Sequence, residues 1–317
     1  MPSFSLGYVE DFIQNAGVAL VVDLSTGSSL DGTPVIGFTK HPSQWPTSTD
    51  LIASNQLWLV EPVANASDTF TIRNLKTGTY VDLLDGKGGD HIPIQGRKGT
   101  GKDNQKWVIK LDPQGKYKFV ILIPRYTVFH LQVTLRIQNV ASKTFVDLLN
   151  GGSANGTEIN GWSGDWTSTN THQQWVFQRV SQSSEEIRHV LLRNPLFTQS
   201  IQSYQLDGEY IILPQGVWKT IWKDSGLGAR ALRAQIFDWD SFTVAYRTAL
   251  STWAYGQIGA DNVTILAGVV FGRKLSDGTG ISYNFSLSDD FGKVLFFDPQ
   301  KNTFQESTEY YPVLGFF

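Results

Sequence analysis

The chain has 317 residues, with 41% apolar residues, 13% aromatics and 30 glycines. That length is enough for two ordinary domains, and the composition favours many short strands and turns over long helices. A net charge of −3 gives no electrostatic case for nucleic acid or an anionic membrane, and the lack of any cysteine removes disulfides, thiolate nucleophiles and thiolate metal sites.

The first residues, Met1-Pro-Ser-Phe-Ser-Leu-Gly7, carry neither a basic segment nor an apolar run, so no secretory signal is visible and a cytoplasmic location is expected. From there a unit recurs three times. The first copy runs Val21-Val-Asp23-Leu24, Asp31-Gly-Thr33, Ile36-Gly-Phe38 and Asn55-Gln56-Leu-Trp58. The second runs Tyr80-Val-Asp82-Leu83, Ile94-Gln-Gly-Arg97 and Asn104-Gln105-Lys-Trp107. The third runs Phe145-Val-Asp147-Leu148, Asn155-Gly-Thr157, Ile159-Asn-Gly-Trp162 and Asn170-Thr-His172-Gln173-Gln-Trp175. Short alternating runs bounded by Gly, Asn and Asp are strand–turn–strand chemistry.

A unit this small cannot bury both of its faces, but three around a pseudo-threefold axis can share one core. Trp58, Trp107 and Trp175 are then core residues supplied once per unit. Three blades are too few for a propeller, so the expected fold of residues 1–180 is an all-β trefoil.

Three Gln-x-Trp motifs with upstream Asp resemble the ricin B-type β-trefoil lectins. That resemblance implies one shallow sugar site per repeat. The Asp accepts from two sugar hydroxyls, an aromatic ring stacks on the apolar sugar face, and an Asn or His beside the Gln adds a further bond. The residue types suit the task, because a carboxylate accepts several hydroxyl protons and a ring offers flat apolar area. The third site keeps Asp147, Trp162, Asn170, His172 and Gln173. The first keeps Asp23, Asn55 and Gln56 with Phe38 at the platform. The second has Asp82, Asn104 and Gln105, but Arg97 replaces the ring, so it binds differently or not at all.

A 16-residue apolar run, 119–134, has no counterpart in the other repeats and is interrupted by Pro124 and Arg125. It is too short and broken for a membrane helix, and reads as a hairpin extension or a retained intron translated in frame.

A boundary is expected near Arg179-Val-Ser-Gln-Ser-Ser-Glu-Glu186. Ser183 and Glu186 form a capping box ahead of Ile187, Val190 and Leu191. Trp218, Ile221 and Trp222 mark a second helix stopped at Gly226. Asp240 is placed to cap a third, with Phe242, Ala245, Ala249 and Trp253 on one face. Strand-like runs follow at 263–267, 282–287 and 293–297. Helices followed by strands predict an α+β domain over 181–317.

With the trefoil, this half is similar to the mushroom agglutinins of the Marasmius oreades and Polyporus squamosus type. The stretches that carry the likeness are Asp207-Gly-Glu-Tyr210, Ile221-Trp-Lys-Asp-Ser-Gly-Leu227, Gln235-Ile-Phe-Asp-Trp-Asp-Ser-Phe242, Ser282-Tyr-Asn-Phe285 and Phe296-Phe-Asp-Pro-Gln300. The resemblance implies a papain-like, calcium-dependent cysteine protease domain that also dimerises. This chain departs from it where the chemistry lies. The family's Cys falls at Trp239 and its His at Ile281, and residues 190–317 contain neither residue type.

The expectation is therefore a pseudo-protease with no catalytic residues. The resemblance leaves room for a residual calcium site from Asp238, Asp240 and Asp298, beside their reading as caps and turn formers. The expected function is a dimeric, multivalent lectin for galactose- or N-acetylgalactosamine-type glycans, sialylated ones included, acting in fungal defence. The alternative is a calcium-dependent hydrolase directed to glycoconjugates by the trefoil.

Overall fold

The computed structural model describes residues 9–41, 52–113, 118–119, 131–132, 134–197, 202–204, 208–306 and 309–317. Among these, the residues up to 180 together with 258–261 form one compact unit, and the remainder form a second.

The first unit contains β1 (Val9–Asn15), β2 (Leu20–Leu24), β3 (Thr33–Thr39), β4 (Trp58–Pro62), β5 (Thr69–Asn74), β6 (Tyr80–Leu83), β7 (Ile92–Arg97) and β8 (Trp107–Leu111). A short pair, β9 (Lys118–Phe119) and β10 (Leu131–Gln132), precedes β11 (Thr134–Asn139), β12 (Phe145–Leu148), β13 (Thr157–Trp162) and β14 (Trp175–Arg179).

Six of these strands close on themselves. β1 pairs with β4, β4 with β5, β5 with β8, β8 with β11, β11 with β14, and β14 with β1, all antiparallel. Closure leaves this barrel no free edge. The other six are three hairpins, β2–β3, β6–β7 and β12–β13. They join one another through β3–β7, β3–β13 and β7–β13 to cap the barrel with a triangle. Each hairpin leaves its barrel strand at an equivalent corner, where Gln14 faces Val21, Arg73 faces Tyr80 and Gln138 faces Phe145. This is a β-trefoil.

Trp58, Trp107 and Trp175 are fully buried in one cluster with Leu24, Leu83 and Leu148. Each indole N–H donates to a backbone carbonyl one residue before a motif Asp: Trp58 to Val22 at 2.9 Å, Trp107 to Val81 at 3.1 Å and Trp175 to Val146 at 3.0 Å. A buried indole nitrogen needs such a partner.

A second threefold device uses Asn15, Asn74 and Asn139, at the ends of β1, β5 and β11. Their amides donate to His172 O at 3.0 Å, Asn55 O at 3.0 Å and Asn104 O at 3.1 Å. Each pins the 3-10 turn that carries the preceding Gln-x-Trp around the threefold, so that Asn15 holds the last motif of the unit.

The expected insertion is described only in part. Phe119 pairs with Leu131 and Lys118 with Gln132, antiparallel, while residues 120–130 and 133 lie outside the described residues. Its last residue, Thr134, already belongs to barrel strand β11.

In the second unit come β15 (Ser181–Ser183), α1 (Ser184–Arg193), β16 (Gln202–Tyr204), β17 (Glu209–Ile211), α2 (Gln215–Asp224) and α3 (Trp239–Gln257). They are followed by β18 (Thr264–Ile265), β19 (Gly268–Lys274), β20 (Gly280–Leu287), β21 (Val294–Asp298), β22 (Thr303–Gln305) and β23 (Tyr310–Phe316). One sheet has the order β16-β23-β19-β20-β21-β22 and a second β15-β17-β18.

The capping box before α1 is complete, with Glu186 N donating to Ser183 Oγ at 3.3 Å and Ser183 N to Glu186 Oε2 at 2.8 Å. Helix α2 ends ahead of Gly226, whose φ of +69 suits glycine. The third helix differs from expectation. It begins at Trp239, so Asp240 lies in its first turn, and Asp238 before it accepts from Ser241 Oγ at 3.2 Å. Its buried face is Phe242, Thr243, Tyr246 and Leu250; Ala245, Ala249 and Trp253 flank that face at intermediate exposure.

Candidate functional site

On each cap hairpin the Asp and the platform residue are diagonal neighbours on one face. Asp23 is opposite Ile36 and Val21 opposite Phe38; Asp82 is opposite Gln95 and Tyr80 opposite Arg97; Asp147 is opposite Asn160 and Phe145 opposite Trp162. Diagonal side chains on paired strands lie within reach of one ligand.

The residue after each platform is held from the neighbouring repeat. Asp31 Oδ1 accepts from Lys98 N at 2.8 Å, Asp90 Oδ1 from Ser163 N at 2.7 Å, and Asn155 Oδ1 from Thr39 N at 2.7 Å. Each site is thus built from two repeats. The sequence motifs contained Asp31 and Asn155 without this role, and missed Asp90, whose neighbour is His91 rather than Gly.

At the first site Asp23 is 3% exposed. Its Oδ1 accepts from Asn55 Nδ2 and its Oδ2 from Gln56 Nε2, both at 2.9 Å. Burial pushes its pKa up to about 6, against the lowering effect of those two amides and the Lys76 charge. Gln56 is itself held, donating to Thr39 O at 3.1 Å and accepting from His41 N at 3.0 Å. His41 was not anticipated. Its Nε2 lies 3.9 Å from Asp23 Oδ2, and its ring is 5.6 Å from Phe38. Two donors leave an ionised carboxylate with free lone pairs, and Ile36 opposite offers no competing donor.

The second site is more fully satisfied from within than the first. Asp82 is fully buried. Gln95 Nε2 donates to its Oδ1 at 3.0 Å, while Asn104 and Gln105 donate to Oδ2 at 2.8 and 3.0 Å. Arg97 at the platform lies 3.9 Å from Asp31 Oδ2. Gln95 is the residue that distinguishes this site, and it stands opposite Asp82 in a register the sequence alone does not display.

At the third site Asp147 is 3% exposed, and burial raises its pKa, with Gln173 and the His172 charge opposing. Gln173 Nε2 donates to Ser163 O at 3.1 Å. Asn160, opposite Asp147, is buried with an unpartnered Nδ2. Trp162 is half-buried and lies 6.0 Å from the His91 ring, and His91 Nε2 contacts Glu158 Oε2 at 3.0 Å.

His172, rather than Asn170, occupies the position of Asn55 and Asn104. Its ring packs against Gly151, where a Cβ would fall 2.3 Å from Nε2. Asn170 instead caps the local 3-10 turn, accepting from His172 N at 3.0 Å.

In the second unit the three aspartates do not converge. Asp238 and Asp240 interact as a pair, lowering one pKa and raising the other. Asp298 sits at the end of β21, with Lys301 Nζ at 3.3 Å and Gln300 N donating at 2.9 Å. No group of three or more His, Cys, Asp or Glu able to hold a metal occurs among the described residues. The expected calcium set is therefore not assembled, because the local turn and a lysine have taken Asp298.

Trp239 and Ile281 belong to one apolar cluster, Ile281 buried within it and Trp239 packed against it. Nearby, Thr243 Oγ1 and Ser282 Oγ are 2.8 Å apart in the interior.

Residues 54–162 match the family described as Ricin-type beta-trefoil lectin domain-like, and residues 210–304 match Agglutinin C-terminal. Over 99% of this chain and 100% of the other, the structure is similar to Polyporus squamosus lectin bound to Neu5Aca2-6Galb1-4GlcNAc, at 32% identity and a TM-score of 0.81. A complex of PSL1a with E64 matches at the same coverage and identity, with a TM-score of 0.79. No curated protein matches the chain.

Proposed function

We propose, from the premise that this chain belongs to the mushroom agglutinin family of Polyporus squamosus lectin, that it is a multivalent lectin for galactose-type glycans whose second domain has lost proteolytic chemistry. The observation that carries this reading is the pair of buried carboxylates, Asp23 and Asp147. Each is diagonal to an aromatic platform and incompletely satisfied by the protein. Galactose and N-acetylgalactosamine termini suit such a site, since they offer adjacent hydroxyls to the carboxylate and an apolar face to Phe38 or Trp162.

The second site is assigned no ligand, because Asp82 already accepts three amide donors. Binding resides in the first and third sites. Single shallow sites bind weakly, so linked sites gain through effective concentration.

The second domain supplies that linkage by pairing with a second copy and is read as papain-like in descent. Supporting the pairing, Tyr311, Val313 and Leu314 on β23 and Leu192 on α1 expose apolar surface. Loss of proteolysis is supported by the apolar packing of Trp239 and Ile281, the residues that the family resemblance sets at the Cys and His positions, since neither can act as a nucleophile or base. The biological role proposed is defence by agglutination.

The test is a glycan array with the purified chain, alongside sedimentation to read its oligomeric state. Retention of terminal galactose or N-acetylgalactosamine glycans by a dimer supports the reading; an array without retained glycans sinks it.

A further inference from the structure

Among the described residues, Arg136 has no exposed surface at all. Its Nε lies 3.7 Å from Asp112 Oδ1, and both side chains are wholly buried. The three corner registers place Arg136 at the position held by Thr71 on β5 and Phe12 on β1. Asp112, five residues beyond Trp107, stands where Val63 stands beyond Trp58. Asp112 N donates to Thr134 O and Val63 N to Thr69 O in the same fashion. One junction of the trefoil therefore carries a buried ion pair where its equivalent carries Val and Thr.

Stability does not explain such a replacement. Removing two charges from water costs more than their mutual attraction commonly returns, and well-packed apolar side chains serve as well. What the pair touches is more telling. Arg136 Nη1 faces Gln173 Oε1 at 3.5 Å, and Nη2 donates to Ser168 O. Gln174 Nε2 donates to Asp112 Oδ2. These contacts reach two residues of the third Gln-x-Trp and the loop 163–170 between platform and motif.

The other sites do this differently. Gln56 Oε1 accepts from His41 N at 3.0 Å and Gln105 Oε1 from Thr100 N at 2.7 Å, in each case the residue three beyond the platform. At the third site the guanidinium takes the place of that backbone donor. Gly164 makes room for it, since a Cβ there would lie 2.4 Å from Gln173 Oε1.

We propose that Arg136 and Asp112 are positioning residues peculiar to the third site, orienting Gln173 behind Asp147 and fixing loop 163–170 beside the sugar. This rests on the carbohydrate reading of that site. Fixed donors and a fixed loop give the third site a geometry unlike the first, so the two differ in which glycans they prefer. A rigid guanidinium fork suits the task better than lysine, because it engages the carboxylate, the carboxamide and the carbonyl at once.

The test replaces the pair with apolar residues, Arg136→Met with Asp112→Leu, in an Asp23→Ala background where the third site alone remains. Calorimetric titration uses Neu5Acα2-6Galβ1-4GlcNAc and N-acetyllactosamine. The folded double variant is expected to lose on the order of tenfold in affinity, the equivalent of one charge-assisted contact. In an Asp147→Ala background the same replacement leaves first-site affinity unchanged. Arg136→Lys, which keeps the buried charge, loses affinity as well and serves if the apolar pair does not fold.

A ligand-free arm separates this proposal from the function it rests on. Carboxyl-carbon NMR of the Arg136→Met, Asp112→Leu replacement made in the parent chain, with Asp23 intact, is expected to show the Asp147 midpoint rising while that of Asp23 stays in place. Unchanged third-site affinity in a folded variant, equal losses at both sites, or an unmoved Asp147 midpoint overturns the proposal. If the parent chain binds neither glycan, the lectin reading fails, and the Asp147 midpoint alone decides the positioning claim.

Discussion

Trp175 Nε1 donates to the carbonyl of Val146 at 3.0 Å, and the next residue is Asp147. The same bond joins Trp58 to Val22 and Trp107 to Val81. The core strut of each repeat therefore grips the backbone that presents the carboxylate, which ties packing to ligand geometry. Trp175→Ala is expected to destabilise the trefoil by about 3–5 kcal/mol. Trp175→Phe keeps most of the packing but leaves the buried carbonyl unpaired, at a cost of about 1–3 kcal/mol. Chemical denaturation measures both.

Asp147→Ala and Trp162→Ala are expected to abolish third-site binding while the protein stays folded. Neither side chain belongs to the barrel core. Titration in an Asp23→Ala background, with circular dichroism as the folding control, reads the outcome. Third-site binding that survives both substitutions contradicts the site assignment.

The second site calls for the opposite result. Asp82→Ala leaves three amide donors, Gln95, Asn104 and Gln105, without their acceptor in the interior. A stability loss of at least about 2–3 kcal/mol is expected, with glycan affinity at the other two sites unaltered. Loss of agglutination without loss of stability would reverse that assignment.

Site one should respond to pH near neutrality. Asp23 has its pKa raised by burial to about 6. Below that pH the carboxyl gains a proton and loses acceptor capacity, so first-site affinity falls as pH drops through about 6. The stability contribution has the reverse sign. A raised carboxyl pKa favours the folded state below about 4, and this advantage is lost as pH rises through about 6. Titrations from pH 5 to 8 in an Asp147→Ala background follow the binding, and denaturation midpoints over the same range follow the stability. Flat first-site affinity across this window contradicts the claim.

Much of this architecture is legible in the sequence, for a physical reason. A core built once per repeat must spell the same Trp and Leu three times, and the motif Asp lies next to the carbonyl that each Trp grips. Register is less legible. Gln95 looks like any polar residue in a short strand until pairing sets it against Asp82, and Asn160 until it faces Asp147. Contacts between repeats, such as Asp90 with Ser163, lie 73 residues apart and have no local signature.

Arg136 is the hardest case. Sequence reasoning treats arginine as surface, and only the closed barrel shows it buried beside Asp112. The third helix shows a milder form of the difficulty. Starting at Trp239, it turns Thr243 and Tyr246 inward, whereas the sequence pattern favours Ala245 and Ala249.

The proposed loss of proteolysis predicts that casein stays intact with and without calcium. Calcium-dependent cleavage, removed by Asp238→Ala or Asp298→Ala, would restore the hydrolase alternative.

The most direct measurement is a glycan array comparing the parent chain with the Asp23→Ala, Asp147→Ala double variant. The account predicts that the parent retains galactose- or N-acetylgalactosamine-terminated glycans and that the folded double variant retains none. A double variant that binds like the parent, or a parent that binds no glycan, contradicts it.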